Sequence, residues 1–286
     1  MSQTCSIIIP ASNEAAYIGA SLTALLASNP VAPPVEVLVI ANGCRDDTVG
    51  AARRFEPTAA ARGWRLTVIE AAEGGKLNAL NVGDAAATGG IRIYLDADVH
   101  VAPDLIAALA AALDRPEPTY ASGRPTAVAD SWVTGAYTRT WRRTPFMTEG
   151  VPGCCLFAVN AAGRTRWGAF PAIIADDTFV RLQFAPHERI GVNAAYSFPM
   201  PEGFARLVRL RARQDFGPRE VLRLYPRLAR NDDKPPFGLP RALRMAAADP
   251  VGFTTYCAVA LAARIRAPHY AGVWVRARQA SPATAR

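Results

Sequence analysis

The sequence predicts an α/β protein built on a doubly wound, mostly parallel sheet, with a helical, basic extension at its C-terminal end. Three observations carry that expectation. Short β-rich apolar runs recur through the first hundred residues, helical patterns separate them, and polar residues with chemical potential gather where the runs stop. The order β-α-β-α-β-α-β-α favours parallel pairing through right-handed crossovers.

CSIIIP (5–10) and VEVLVIA (35–41) are nearly continuous apolar runs, as expected of strands covered on both faces. LTVIE (66–70) and IRIYL (91–95) alternate more but have similar lengths. After the first run, Ile18, Leu22, Leu25 and Leu26 fall at i, i+4, i+7 and i+8, one face of a helix. Asp46 or Asp47 can cap a second helix through about Phe55. GKLNALNVGDAAAT (75–88) reads as the third. Pro103 suits a first helical position, and Leu105, Ile106, Leu109 and Leu113 then repeat with helical spacing.

The chain has 286 residues, 50% of them hydrophobic and 20% charged, an ordinary globular composition. That length suits one large α/β domain, read as residues 1–215, and a helical basic extension over 216–286. No basic segment followed by an apolar stretch opens the sequence, which runs straight into SIIIP. No apolar run reaches the roughly 18 residues of a spanning helix; VGFTTYCAVALAARI (251–265) comes nearest and is too short. Five cysteines form no C-x-x-C pair, and three scattered histidines supply no zinc spacing. Reduced thiols in a cytoplasm follow as the expectation. The formal net charge of +8 is unevenly placed: residues 201–286 hold 16 of the 32 basic side chains and 6 of the 24 acidic ones. Their partner should be anionic. The basic third lacks interleaved aromatic platforms, which argues against nucleic acid. An anionic surface at the inner face of the membrane suits it better, as a peripheral contact.

In open α/β sheets, ligands bind beyond the carboxyl ends of the strands. That rule places PASNE (10–14), ANGCRDD (41–47) and DAD (96–98) on one rim, a site of nucleotide size. No G-x-G-x-x-G follows the first strand, and EGGKL is only superficially a phosphate loop, because Lys76 is followed by Leu77.

The segments SIIIPASNEAAYI, VLVIANGCRDDTVGAAR, GGKLNALNVG, YLDADVHVAPDLI, VPGCCLFAVNAAGRTRWGAFP and ADDTFVRL come in an order and spacing that resembles the family 2 inverting glycosyltransferases of GT-A fold, over roughly residues 5–185. The resemblance implies a nucleotide-diphosphate sugar donor, UDP in the first place, a Mg²⁺ or Mn²⁺ ion and a carboxylate base. Asp98 would hold the metal, while Asp96 would hold ribose or support the metal, with Ala97 between them. Pro10, Ser12 and Glu14 match the nucleoside loop. Asn42 stands where many members have an aspartate that reads the base, which leaves GDP or another carrier open. Lys76 matches a basic residue near the diphosphate or base. Gly153 and Gly168 match small residues on the acceptor side. Asp177 matches the aspartate of a Glu-Asp pair and would be the base, with Asp176 in place of the glutamate.

The Gln-x-x-Arg-Trp element of processive synthases is absent, and RLRARQDFG (209–217) occupies its neighbourhood. One sugar per acceptor hydroxyl is therefore the expectation. A sugar-phosphate nucleotidyltransferase on the same fold lacks its glycine loop here, and a non-catalytic sugar-nucleotide-binding protein would keep Asp98 without needing Asp177. Arg206, Arg209 and Arg213 share a helical face suited to diphosphate, a phosphorylated acceptor or anionic lipid. Asp249-Pro250 opens a last helix through about residue 266, which can pack on the core, lie in a membrane interface or join a dimer.

Overall fold

A computed structural model describes residues 4–266. The tail from 267 onward, including His269 and the last of the basic residues in the expected extension, lies outside the described residues. The first half runs β1 (Cys5–Ala11), α1 (Ile18–Leu26), β2 (Val35–Asn42), α2 (Thr48–Arg53), α3 (Glu56–Ala61), β3 (Arg65–Ala71), α4 (Lys76–Ala86), β4 (Ile91–Leu95), β5 (His100–Val101) and α5 (Leu105–Leu113). The second runs β6 (Tyr120–Val128), α6 (Trp132–Trp141), α7 (Pro145–Thr148), β7 (Leu156–Val159), α8 (Ala161–Arg164), α9 (Asp176–Arg181), β8 (Arg189–Pro199), α10 (Phe204–Leu224), α11 (Leu239–Ala248) and α12 (Pro250–Arg266).

The eight strands form one sheet in the order β3-β2-β1-β4-β7-β6-β8-β5. Strands β3, β2, β1 and β4 are parallel, as the four apolar runs predict. Beyond β4 the sheet is mixed. β7 runs antiparallel to β4 and β6, β8 is parallel to β6, and β5 closes the edge antiparallel to β8. The first two strands are buried as expected: Ile7, Ile8, Ile9, Val37, Val39 and Ile40 have no exposed surface, whereas β3, at the sheet edge, is only partly covered. Burying such side chains stabilises a fold by about 1.5–3 kcal/mol each.

One local expectation needs correction. Pro103 precedes α5 rather than opening it; Asp104 is the N-cap residue, and the turn is held by Leu105 N–H to Ala102 O at 3.1 Å. The helix expected through about Phe55 is α2, which ends at Arg53 with Arg54 as its C-cap residue, and a further short helix, α3, follows from Glu56 with Pro57 in its first turn.

The chain crosses the expected boundary at 215/216 inside the unbroken α10. The last helix packs on the core: α12 lies against α6, α10 and α11, with Val259 and Ala263 fully buried. Its Asp249 cap accepts from Gly252 N–H at 2.9 Å and pairs with Arg139.

Candidate active site

The site lies where the chain changes direction across the sheet. Strands β2 and β3 extend from one side of β1, and β4 returns to the other, so the carboxyl ends of β1 and β4 frame a crevice. A cavity of about 1290 Å³ opens there. Pro10, Ser12, Glu14, Asn42, Lys76, Asp96, Ala97, Asp98, Asp176 and Asp177 all line it. Ten positions spread over 168 residues of sequence are thereby brought to one cleft.

The rim loops are tied to one another by side chains. Asp46 accepts from Thr48 N–H at 3.1 Å, capping α2, and from Ala15 N–H at 3.2 Å. Thr48 Oγ1 in turn accepts from Glu14 N–H at 2.8 Å. Asp47 holds the N-cap position without bonding the helix and pairs instead with Arg54 at 2.9 Å. Asn13 takes a left-handed backbone at φ 51° and accepts from Arg45 N–H at 2.6 Å. Asparagine tolerates that region better than most residues.

Asn42 is buried, and its amide is engaged by the main chain. Nδ2 donates to Ala11 O at 3.0 Å, while Oδ1 accepts from Gly75 N–H at 2.9 Å. The side chain thus clasps the end of β1 to the start of α4. The following Gly43 sits at φ 55°, where a Cβ would meet Gly74 Cα at 2.9 Å, so the two loops touch main chain to main chain.

Lys76, the first residue of α4, joins the two ends of the acid cluster. Its Nζ lies 2.8 Å from Asp96 Oδ1 and 3.0 Å from Asp176 Oδ2. Burial pulls the lysine pKa down, but the Asp176 and Asp96 carboxylates outweigh it and hold the ammonium charged above its ordinary range. Asp177 stands beside this pair with Oδ1 accepting from Thr178 N–H at 2.6 Å. Burial, then the neighbouring Asp176 charge, raise its pKa, against the opposing pull of Lys76. The DAD turn is fixed from below by Asp96 N–H to Cys155 O at 3.0 Å, with Cys155 at φ 63°. Left-handed backbone at a non-glycine residue is costly and collects at functional sites.

Gly153 and Gly168 do not line the cleft. Gly153, at φ 64°, leaves room for the Tyr120 hydroxyl, which a Cβ would overlap at 1.6 Å; the carbonyl of Gly168 accepts from Arg164 at 2.9 Å. Of the arginine face Arg206, Arg209 and Arg213, only Arg213 lines the cavity. Neighbouring Arg211 does too, pairing with Asp215 at 2.9 Å and donating to the Tyr256 hydroxyl at 2.7 Å.

The far wall was not read from the sequence. It comes from α6 and α7, the end of β8, α10, α12 and the proline-rich connector 232–237. A signal for the connector was present: the aspartates of DDKPPFG precede the prolines. Asp233 pairs with both Arg181 and Arg189, the latter at 2.7 Å, and Asn231 Nδ2 donates to Leu182 O at 2.8 Å. The connector is therefore strapped to the helix that begins with Asp176 and Asp177.

As to a metal, Asp96 and Asp98 offer hard oxygen donors on the cleft. That fits a cation such as Mg²⁺ or Mn²⁺, which takes one or two protein carboxylates and completes its shell with phosphate and water. No described helix is long and apolar enough to cross a membrane.

Residues 6–173 match the profile of the family described as "Glycosyl transferase family 2". No curated protein sequence matches the chain. Among solved structures, a mannosyltransferase from Pyrobaculum calidifontis in complex with GDP-Man and Mn²⁺ is similar at 24% identity and a TM-score of 0.56, over 92% of this chain and 75% of that one. TarS 1–349 of S. aureus in complex with UDP-GlcNAc is similar at 14% identity and a TM-score of 0.54, over 92% of each chain. Both likenesses speak to the fold.

Proposed function

Since this chain belongs to the family 2 glycosyltransferases, we propose that it moves a sugar from a nucleoside-diphosphate donor to an acceptor hydroxyl with inversion, one sugar per acceptor. The observation that carries the reading is the Lys76 bridge, which sets the Asp96 turn and the Asp176–Asp177 pair in one cleft. Donor-side and base-side chemistry are thereby side by side.

In the proposed reaction the acceptor oxygen forms a bond to the anomeric carbon as the bond to the diphosphate breaks. Asp177 takes the hydroxyl proton, and the nucleoside diphosphate leaves. The raised pKa makes Asp177 a stronger base than an exposed aspartate, while Lys76 pairs with the neighbouring Asp176. Asp98, with Asp96 beside it, would hold the divalent cation, which when bound neutralises charge on the departing diphosphate. Ser12, Glu14 and Pro10 form the nucleoside end.

The base is read by the same cleft, and Asn42 is a poor reader because its amide is already engaged by Ala11 and Gly75. Uridine, implied by the resemblance, is therefore tested against guanosine rather than assumed. The experiment is a thermal-shift panel of UDP-, GDP-, CDP- and dTDP-sugars with and without Mn²⁺, on wild type and Asp98→Ala. A ligand at 100 times its Kd should add about 2.7 kcal/mol to stability. The expected result is a Mn²⁺-dependent shift in wild type that Asp98→Ala loses. Equal shifts in both proteins remove the metal assignment, and no shift with any nucleotide removes the donor site. Mass spectrometry of the product should show one added sugar; a ladder of products would refute the single-addition reading.

A further inference from the structure

The geometry points to an acceptor whose reactive hydroxyl is carried on an apolar body, bound at the end of the cleft built mostly by residues beyond the family match. This deepens the transferase reading and rests on it. The cavity, at about 1290 Å³, exceeds the roughly 300–1,000 Å³ typical of a single-ligand pocket. It therefore has room past the donor, and the character of that room changes along its length.

The donor end presents Ser12, Glu14, Lys76 and the acids. The opposite end presents Phe146, Met200, Leu210, Phe237 and Tyr256, interspersed with prolines of the connector and of β8's end. Several of its polar side chains are already engaged. Arg211 is held by Asp215 at 2.9 Å and by the Tyr256 hydroxyl at 2.7 Å. Thr144 Oγ1 donates to Trp141 O at 2.6 Å. Asp232 lies 3.9 Å from Arg181 and accepts from Lys234 N–H at 3.3 Å. A free oligosaccharide needs many hydrogen-bond partners to replace its hydration, and leaving its hydroxyls unpaired is costly. An apolar chain or ring needs none and gains from burial against this wall.

The mouth supports the same occupant. Phe237 is 40% exposed, and Leu239 and Leu243, one turn apart on α11, are 72% and 62% exposed. The Lys234 ammonium lies over the Phe146 ring, 5.7 Å from its centroid, so the one lysine of the connector is itself seated on an aromatic face. The connector that carries Phe237 is anchored through Asp233 to α9, so the apolar end and the Asp177 carboxylate are held in register. A soluble aryl or alkyl glycoside and a lipid-borne alcohol share this chemistry, and presentation distinguishes them.

The test uses the full chain, the donor found by the nucleotide panel, and methyl, butyl, hexyl and octyl glucoside below their micelle thresholds, with maltotriose as the purely polar competitor. A parallel arm offers a prenyl alcohol in neutral vesicles, which separates lipid presentation from soluble acceptors. Sugar transfer is read by mass spectrometry, and nucleotide binding is measured on the same samples. The acceptor KM is expected to fall about threefold per added methylene until the wall is covered. Phe237→Ser should raise the octyl glucoside KM about tenfold, with the effect on acceptor KM rather than nucleotide affinity, and Phe237→Leu should restore most of it. Transfer to maltotriose as efficient as to octyl glucoside, or a KM indifferent to chain length, overturns the inference while nucleotide binding leaves the transferase reading intact. Glucosides that bind with chain-length dependence but accept no sugar from a bound donor overturn the acceptor assignment. Absence of nucleotide binding sinks the transferase reading and this inference with it.

Discussion

The two ends of the cleft are built by different means. The proposed donor end stands on four parallel strands, of which β1 and β2 are buried on both faces, with short loops tied to one another by Asp46, Thr48, Asn13 and Asn42. Its position follows from topology, because β1 and β4 diverge there. The acceptor end has no such frame. It is assembled from α6, α7, α10, α12 and a connector, pinned by the Asp233 pairs and by Arg241, which reaches Glu149 and donates to Arg143 O at 3.0 Å. A frame of strands fixes the same loops in many chains, whereas a wall of helices and straps can be rebuilt without disturbing them. Chemistry common to a family belongs on the first, and selectivity peculiar to one chain on the second.

That contrast is broken most directly at the base. Asp177→Asn keeps size and removes the proton acceptor, so transfer should fall by about 10²–10⁴-fold while nucleotide affinity changes little. Steady-state transfer and nucleotide titration measure the two halves separately. Asp176→Asn should be milder; if it is the dead variant and Asp177→Asn stays active, the carboxylates have been assigned the wrong way round. The pH dependence follows from sign. The folded-state pKa of Asp177 is raised, so the acid limb of kcat/KM should lie above the ordinary aspartate value. The same shift means that the native state holds this proton more tightly than the unfolded chain, and stability is lost as pH rises from the unfolded value of about 3.9 through the folded one. Asp177→Asn escapes that loss and should melt higher than wild type near pH 7.

A smaller effect sharpens the role of the bridge. Lys76→Met leaves Asp96 and Asp176 without their shared cation and removes the charge that opposes the raised pKa of Asp177. The acid limb should therefore move up in pH. An unmoved limb would mean that Lys76 merely packs. Smaller still is the effect at the strap. Burial pushes the Asp233 pKa up, but Arg181 and Arg189 overcome it and leave it lowered. Anchoring is therefore complete above the ordinary aspartate value of about 3.9 and fades as pH falls through the lowered folded value. Asp233→Asn should cost about 1–2 kcal/mol in a urea melt and raise acceptor KM a few-fold, with nucleotide affinity unchanged. A nucleotide affinity that falls in step would show that the two ends are not separable.

Sequence alone determined the parallel half of the fold and which residues meet on the rim of the cleft. Continuous apolar runs such as VEVLVIA specify buried strands locally, and the crossover rule then places their carboxyl ends together without further information. The acid pairs were legible for the same reason, since each follows its strand or opens its helix within a few residues. Tertiary structure decided the rest. That Asn42 clasps two main-chain segments depends on Ala11 and Gly75, and that Lys76 joins Asp96 to Asp176 depends on a contact across 100 residues of chain. The mixed half of the sheet was not legible, because strand direction beyond β4 is set by pairing partners rather than by local pattern. Nor was the acceptor wall: Tyr256, Phe237 and Leu210 carry ordinary helix and loop patterns, and only their convergence on one cavity gives them a common role. Local periodicity encodes which face of an element is apolar; what that face meets is a property of the assembled chain.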